Sequence, residues 1–230
     1  MQQLPLAIQL TPEGGFDDYL PGPNAEAVSA ITAWSSASGE TFLYLFGPSG
    51  TGKSHLLQAA CKAAKAGGAS ACYLPLGLPG LDLSALEGME RAQVVALDDI
   101  QALAGDIDWE RGLFNLYNRL RETERRLLVS GDRPAAELPL RLPDLRSRLG
   151  WGPGYRLRPL DEVGCERLLR ESAARRGLVL EAESLAYIMR RCERDAGSLL
   201  RLLDRIDRES LQKKRRPTLW LIRQLQGSAD

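Results

Sequence analysis

The chain opens without periodicity: residues 1 to about 24 are rich in Pro, Gly and Gln and read as extended. From residue 25 to 37, Ala27, Val28, Ile31 and Trp34 recur at helical spacing. Phe42-Leu43-Tyr44-Leu45-Phe46 is a short continuous apolar run, the pattern of a buried strand. An Ala- and Leu-rich helix is expected from Ser54 to Ala66, ended by Gly67-Gly68. Ala71 to Leu76 predicts a second strand, and Leu78 to Leu86, with Pro79, Gly80 and Asp82, predicts a loop. Val94-Val95-Ala96-Leu97 predicts a third strand that stays apolar until it ends in Asp98 and Asp99. Trp109 to Glu124 reads as an amphipathic helix with Leu113, Leu116, Tyr117 and Leu120 on one face. Leu127 to Ser130 predicts a fourth strand, Asp132 to Gly150 an Arg-rich turn and short helix, and Tyr155 to Leu160 a fifth strand.

Strands that alternate with helices imply an α/β fold, a parallel sheet with helices on both faces. Beyond Pro159 the strand signals stop. Asp161 is a candidate cap for a helix running to Arg176, closed by Gly177, and two or three further helical stretches follow. The expected division is therefore a segment over 1–13, an α/β domain over 14–160 and a small helical domain over 161–230.

Composition narrows the function little. The chain has 230 residues, 44% of them hydrophobic, enough for a substantial core. Thirty basic residues balance thirty acidic ones, so no global field draws in nucleic acid. Cys61, Cys72, Cys165 and Cys192 are scattered without a C-x-x-C pair, which argues against zinc or a disulfide framework and for reduced thiols in a cytoplasmic protein. Met1 to Pro12 lacks the basic-then-apolar order of a secretory signal, and no apolar run reaches membrane-spanning length.

The chemistry concentrates after two of the strands. Gly47-Pro48-Ser49-Gly50-Thr51-Gly52-Lys53-Ser54 is a complete phosphate-binding loop between a strand and a helix. Its glycines let backbone N–H groups converge on phosphate oxygens, and the following helix N-terminus favours anions. Lys53 is the candidate for the outer phosphates and Ser54 for Mg²⁺, with His55 adjoining the nucleotide segment. Asp98 is placed to hold the Mg²⁺ water shell and Asp99 to orient an attacking water. Ser130 and Asp132 end the next strand and are candidate phosphate sensors. Arg146 and Arg148, close to Arg141, lie far along the chain, where a guanidinium can serve a neighbour's nucleotide rather than its own.

Taken jointly, Gly-Pro-Ser-Gly-Thr-Gly-Lys-Ser-His, Leu97-Asp98-Asp99-Ile100-Gln101, Ser130-Gly131-Asp132-Arg133-Pro134 and Arg146-Ser147-Arg148-Leu149-Gly150-Trp151-Gly152 resemble the AAA+ core of DnaA-type replication initiators. Phe16-Asp17-Asp18-Tyr19 with Gly22-Pro23-Asn24 resembles the segment that precedes that core. The resemblance spans roughly 14–210 and implies a P-loop core followed by a helical lid. Counterparts of the initiator's DNA-reading helix-turn-helix and long N-terminal region are not found in this sequence. At its head, Gln2-Gln3-Leu4-Pro5-Leu6 resembles the Gln-Leu-x-Leu peptide that inserts into the DNA polymerase sliding clamp, with Gln3, Leu4 and Leu6 as the anchors.

The combination resembles the Hda family of DnaA-related regulatory inactivators. That resemblance implies a negative regulator of replication initiation, bound to ADP (or ATP) with Mg²⁺, docked on the sliding clamp. It implies stimulation of ATP hydrolysis by DnaA through Arg148 as an arginine finger, with DNA reached only through the clamp and a homodimer allowed. One position departs: the lid arginine at the start of the third lid helix is Gly197 here, with Arg194 and Arg201 an adjacent turn away. This argues against an efficient stand-alone ATPase. A helicase loader of the DnaC type is the alternative. A small-metabolite kinase would leave residues 145–152 and the lid without a role. The basic run Lys213-Lys214-Arg215-Arg216 reads first as a solvated helix junction.

Overall fold

The computed structural model describes residues 14–191, 195–213 and 217–227 and divides after Arg158 into two compact units. The first unit holds a five-stranded sheet: β1 (Phe42–Phe46), β2 (Ala71–Pro75), β3 (Val94–Asp98), β4 (Arg126–Gly131) and β5 (Gly154–Arg156). All pairings are parallel, in the spatial order β2-β3-β4-β1-β5. The α-helices are α1 (Ala25–Ser35), α2 (Lys53–Ala66), α3 (Ile107–Glu122) and α4 (Pro143–Leu149).

Alternation along each strand sends successive side chains to opposite faces. Leu43, Leu45, Val94, Ala96 and Leu128 pack on one face with Ile31 and Trp34 of α1 and Leu56, Leu57 and Ala60 of α2. Phe42, Tyr44, Val95, Leu97, Leu127 and Val129 pack on the other with Leu113, Leu116 and Leu120 of α3 and Leu145 and Leu149 of α4. Both faces are covered, which is why the strands read as near-continuous apolar runs rather than half-polar ones.

The second unit is helical: α5 (Glu162–Arg175), α6 (Ala182–Arg191), α7 (Ala196–Lys213) and α8 (Leu219–Gly227). Asp161 caps α5 by accepting from the Gly164 N–H at 2.7 Å. Leu169, Ile188, Leu203, Ile206 and Ile222 form its core.

Three expectations are corrected. The segment before α1 is not simply extended: Phe16–Asp18 and Gly22–Asn24 form 3-10 turns. Leu83–Leu86, inside the expected loop, is another, started by Asp82 accepting from the Ser84 N–H. β5 is shorter than expected, Gly154–Arg156: its last bond to β1 runs from the Leu157 N–H to the Phe46 carbonyl at 2.7 Å, and the Arg158 backbone beyond it bonds to the Asn24 side chain instead.

Candidate functional site

The loop between β1 and α2 is shaped by glycines at positive φ. Gly47 sits at φ +153°, where a Cβ would stand 2.4 Å from the Leu157 carbonyl oxygen. Gly52 sits at φ +85°, where a Cβ would stand 2.6 Å from the Tyr19 ring. Thr51 Oγ1 donates to the Pro48 carbonyl at 2.9 Å and tightens the turn. Because α2 begins at Lys53, the N–H groups of its first turn have no intrahelical acceptor and point out of the helix end. Lys53 is 7% exposed, and its ammonium donates to the Gly47 and Pro48 carbonyls at 2.8 and 3.0 Å. That leaves one of its three N–H groups for an anion. Ser54 is half-buried next to it. This donor set fits a nucleotide's phosphates with their divalent cation.

The pre-core segment braces this loop. Tyr19 donates its hydroxyl to the Thr51 carbonyl at 3.0 Å and accepts from Asn24. Asn24 also exchanges hydrogen bonds with the backbone of Arg158 on the strand-end side, donating at 2.9 Å and accepting at 2.8 Å. His55 faces the same segment: its Nε2 lies 2.9 Å from the Gly15 carbonyl, and its ring lies 5.8 Å from the Tyr19 ring. Through these contacts His55 joins the brace.

β4 lies between β3 and β1, so Ser130 links the acidic pair to the loop. Asp98 is 2% exposed. One of its carboxylate oxygens accepts from the Ser130 hydroxyl and the other from the Tyr73 hydroxyl at 2.7 Å. Ser130 Oγ in turn accepts from the Asp99 N–H at 2.9 Å. Asp99 adopts a left-handed backbone (φ 60°), and its carboxylate accepts from Gln101 at 2.9 Å. Burial, with the adjacent Asp98 charge, pushes the Tyr73 hydroxyl well above its usual range. Asp132 is paired with Arg133 through contacts of 2.9 and 2.8 Å, and that hydrogen bonding holds its carboxyl below the usual range. Lys53 adds a smaller effect of the same sign, which places Asp132 in the field of the loop.

Arg148 lies elsewhere. α4 is entered through Leu142, whose N–H donates to Glu110 at 2.7 Å. The same carboxylate, 0% exposed, accepts from the N–H groups of Gly105 and Arg141 at 2.8 and 3.1 Å. Arg146 donates to the Leu140 carbonyl. Arg148 is half-buried and stacks on Trp151 with its guanidinium carbon 4.1 Å from the ring centroid. Arg121 lies over the same ring at 4.7 Å. Trp151 itself is 57% exposed. Gly152 follows it against Phe42, the first residue of β1, whereas the phosphate loop leaves the other end of that strand. Five strand residues at about 3.3 Å each put roughly 16 Å between these two ends.

Gln3, Leu4 and Leu6 lie outside the described residues, as do Arg194 and Lys214–Arg216. In the helical unit, Gly197 sits in the first turn of α7, and Arg201 is held there by the Ser198 hydroxyl at 2.8 Å. Sequence reasoning missed Tyr73, Glu110 and the Arg121–Trp151 contact, and placed Tyr19 and Asn24 in the pre-core segment without their hydrogen bonds to Thr51 and Arg158. The detectable signal was Glu110, which shares the buried stripe of α3 with Leu113 and Tyr117. No group of three or more His, Cys, Asp or Glu suited to a metal ion occurs among the described residues. No described helix is long and apolar enough to cross a membrane.

Comparison with known proteins agrees with this architecture. Residues 85–154 match the model of the bacterial DnaA ATPase domain, and residues 162–225 match that of the Hda lid domain. Domain III of the Thermotoga maritima initiation protein DnaA superposes with a TM-score of 0.79 at 20% identity, over 93% of this chain and 95% of that one. AMPPCP-bound DnaA from Aquifex aeolicus gives 0.67 at 23% identity, over 89% of this chain and 70% of that one. The Thermotoga maritima RuvB Holliday junction branch migration motor gives 0.67 at 17% identity, over 94% and 72%. The α/β unit, a parallel sheet with flanking helices, thus carries a match to the DnaA ATPase domain and the helical unit a match to the Hda lid, the pairing found in a DnaA-related Hda protein.

Proposed function

We propose that this protein is a nucleotide-bound negative regulator of replication initiation that stimulates ATP hydrolysis by DnaA, presenting Arg148 as a finger in trans. The observation that carries the reading is the separation of the two ends of β1. The guanidinium stands beside the strand's start, and the protein's own phosphate loop leaves its far end. A finger so placed serves a neighbour's nucleotide.

The protein's own loop clasps ADP or ATP. Gly47 to Lys53 hold the phosphates, and Ser54 and Asp98 hold Mg²⁺. When bound, that ion neutralises phosphate charge. Asp99, Ser130 and Asp132 line the same strand ends and respond to the phosphates. AMPPCP in a DnaA of the same fold supports nucleotide binding here. The Gln3, Leu4 and Leu6 head docks the protein on the sliding clamp, which brings it to DNA indirectly.

The test is hydrolysis by ATP-loaded DnaA in the presence of clamp-loaded DNA. Wild-type chain is expected to stimulate it, and Arg148→Ala to lose on the order of 10³ of that stimulation. Wild-type stimulation by Arg148→Ala rejects the finger. Unchanged capture by the clamp after deletion of residues 2–6 rejects the head.

A further inference from the structure

A second cationic feature lies beside the finger, and the strand-end nucleotide site does not account for it. A cavity of about 500 Å³ opens between the start of β1, the end of α3 and the start of β4. Phe42, Tyr117, Leu120 and Leu127 supply apolar lining, while Arg121, Arg125 and Arg126 supply three guanidiniums against the single carboxylate of Glu124. Arg126 is spoken for, donating to the Trp34 carbonyl at 2.5 Å and the Ser38 carbonyl at 3.3 Å. Arg125 is not: its Nε is buried and meets no acceptor among the described residues. The same holds for Nη1 of Arg148. Arg121 joins the two places, since it lines the cavity and also lies over Trp151, on whose ring Arg148 stacks. Buried donors without acceptors cost free energy, and that cost is recovered when an acceptor arrives.

We infer that Arg125, Arg121 and the exposed Trp151 form an anchoring subsite for an acidic, partly apolar peptide segment of the partner protein, next to the finger. The inference deepens the reading that Arg148 works on a partner and rests on it for the partner's identity. Carboxylates match planar guanidiniums bidentately, and the apolar lining takes a neighbouring aliphatic or aromatic side chain. A nucleic-acid backbone fits worse. The chain as a whole carries no net positive charge to attract a polyanion. The indole, in contact with two guanidiniums and still 57% exposed, supplies a surface of the kind that anchors interfaces.

The full chain is titrated with a synthetic peptide alternating Glu and Leu, with a Lys–Leu peptide and a single-stranded oligonucleotide as controls. Tryptophan fluorescence is the readout. The Glu–Leu peptide is expected to give a saturable change that vanishes in Trp151→Phe. Its affinity should fall about tenfold or more in Arg125→Ala and Arg121→Ala, whose thermal unfolding is recorded alongside. Loss of about 1.5–3 kcal/mol from one charged hydrogen bond corresponds to that range. No saturable binding, or equal affinity in folded Arg125→Ala and Arg121→Ala, overturns the subsite; so does tighter binding of the oligonucleotide. Peptide binding without stimulation of DnaA would reject the functional reading and leave the subsite standing. Stimulation without peptide binding would do the reverse.

Discussion

The two ends of the central sheet are built on opposite plans. At the C-terminal ends of the strands, the charged side chains are held by partners: Tyr73 and Ser130 occupy both oxygens of Asp98, Arg133 occupies Asp132, and Lys53 leans on its own loop's carbonyls. At the N-terminal ends, cations are left over: Arg148 and Arg125 each bury an N–H with no acceptor among the described residues, beside an exposed tryptophan. A site that closes on itself suits holding a ligand. A site with unspent donors suits a partner that brings the acceptors. In the proposed reading, this contrast lets one fold clasp a nucleotide at one end and present a guanidinium to another molecule at the other.

The sharpest way to break the contrast is to move the largest effect to the wrong end. Arg148→Ala should remove about 10³ of the stimulated hydrolysis by DnaA while this protein's own affinity for ADP, measured with a fluorescent analogue, stays within about twofold. A comparable loss of ADP binding would mean that the two ends are not separate. Glu110→Ala attacks the support of the finger end instead. It leaves the N–H groups of Gly105, Arg141 and Leu142 without their shared acceptor. The expected cost is about 2–4 kcal/mol of folding stability. It should be visible as a lower urea midpoint at an unchanged m-value. A drop below about 0.5 kcal/mol would show that these donors find other acceptors easily.

How far the sequence could be read divides along the same line. The strands were legible because burial on both faces makes them apolar throughout, and the phosphate loop because its chemistry is local, packed into consecutive residues from Gly47 to Ser54. Glu110 was not, although a carboxylate on the buried stripe of α3 marks it out. Its partners are more than 30 residues away in Arg141 and Leu142, and only tertiary structure brings them together. Tyr73 was hidden in the same way, reading as one more strand residue until β2 and β3 pair Pro75 with Asp98. The brace formed by Tyr19 and Asn24 was masked by the Pro- and Gly-rich surroundings that made it look extended. Arg148 was visible by motif, but its stacking on Trp151 depends on the turn after α4.

At the nucleotide end the expected effects are smaller. Lys53→Ala should weaken ADP binding by about 1.5–3 kcal/mol, the value of a hydrogen bond to a charged group. Stimulation of DnaA should then be restored by raising ADP, if nucleotide binding serves only to keep the finger end in shape. A loss that no ADP concentration repairs would give Lys53 a part in the partner's chemistry.

The smallest effect is the most specific to the closed end. Tyr73→Phe removes one of the two donors on Asp98 and should cost about 1–2 kcal/mol at neutral pH. It also has a signature in pH. Burial raises the hydroxyls of Tyr73, Tyr44 and Tyr19, and pushes the Cys61 thiol up to about 12. Each group stays protonated in the folded chain at a pH where the unfolded chain has lost its proton. Their contribution is therefore complete below the unfolded values, about 8.5 for the thiol and about 10 for the hydroxyls, and is lost as pH rises beyond them. Stability should fall above about pH 9, at up to about 1.4 kcal/mol per pH unit for each group that the unfolded state alone has ionised. Tyr73→Phe should flatten the part of that fall above about pH 10 by one tyrosine's share. An identical slope in wild type and variant would place the Tyr73 hydroxyl in contact with solvent rather than with Asp98, and the nucleotide end would then be less closed than the finger end is open.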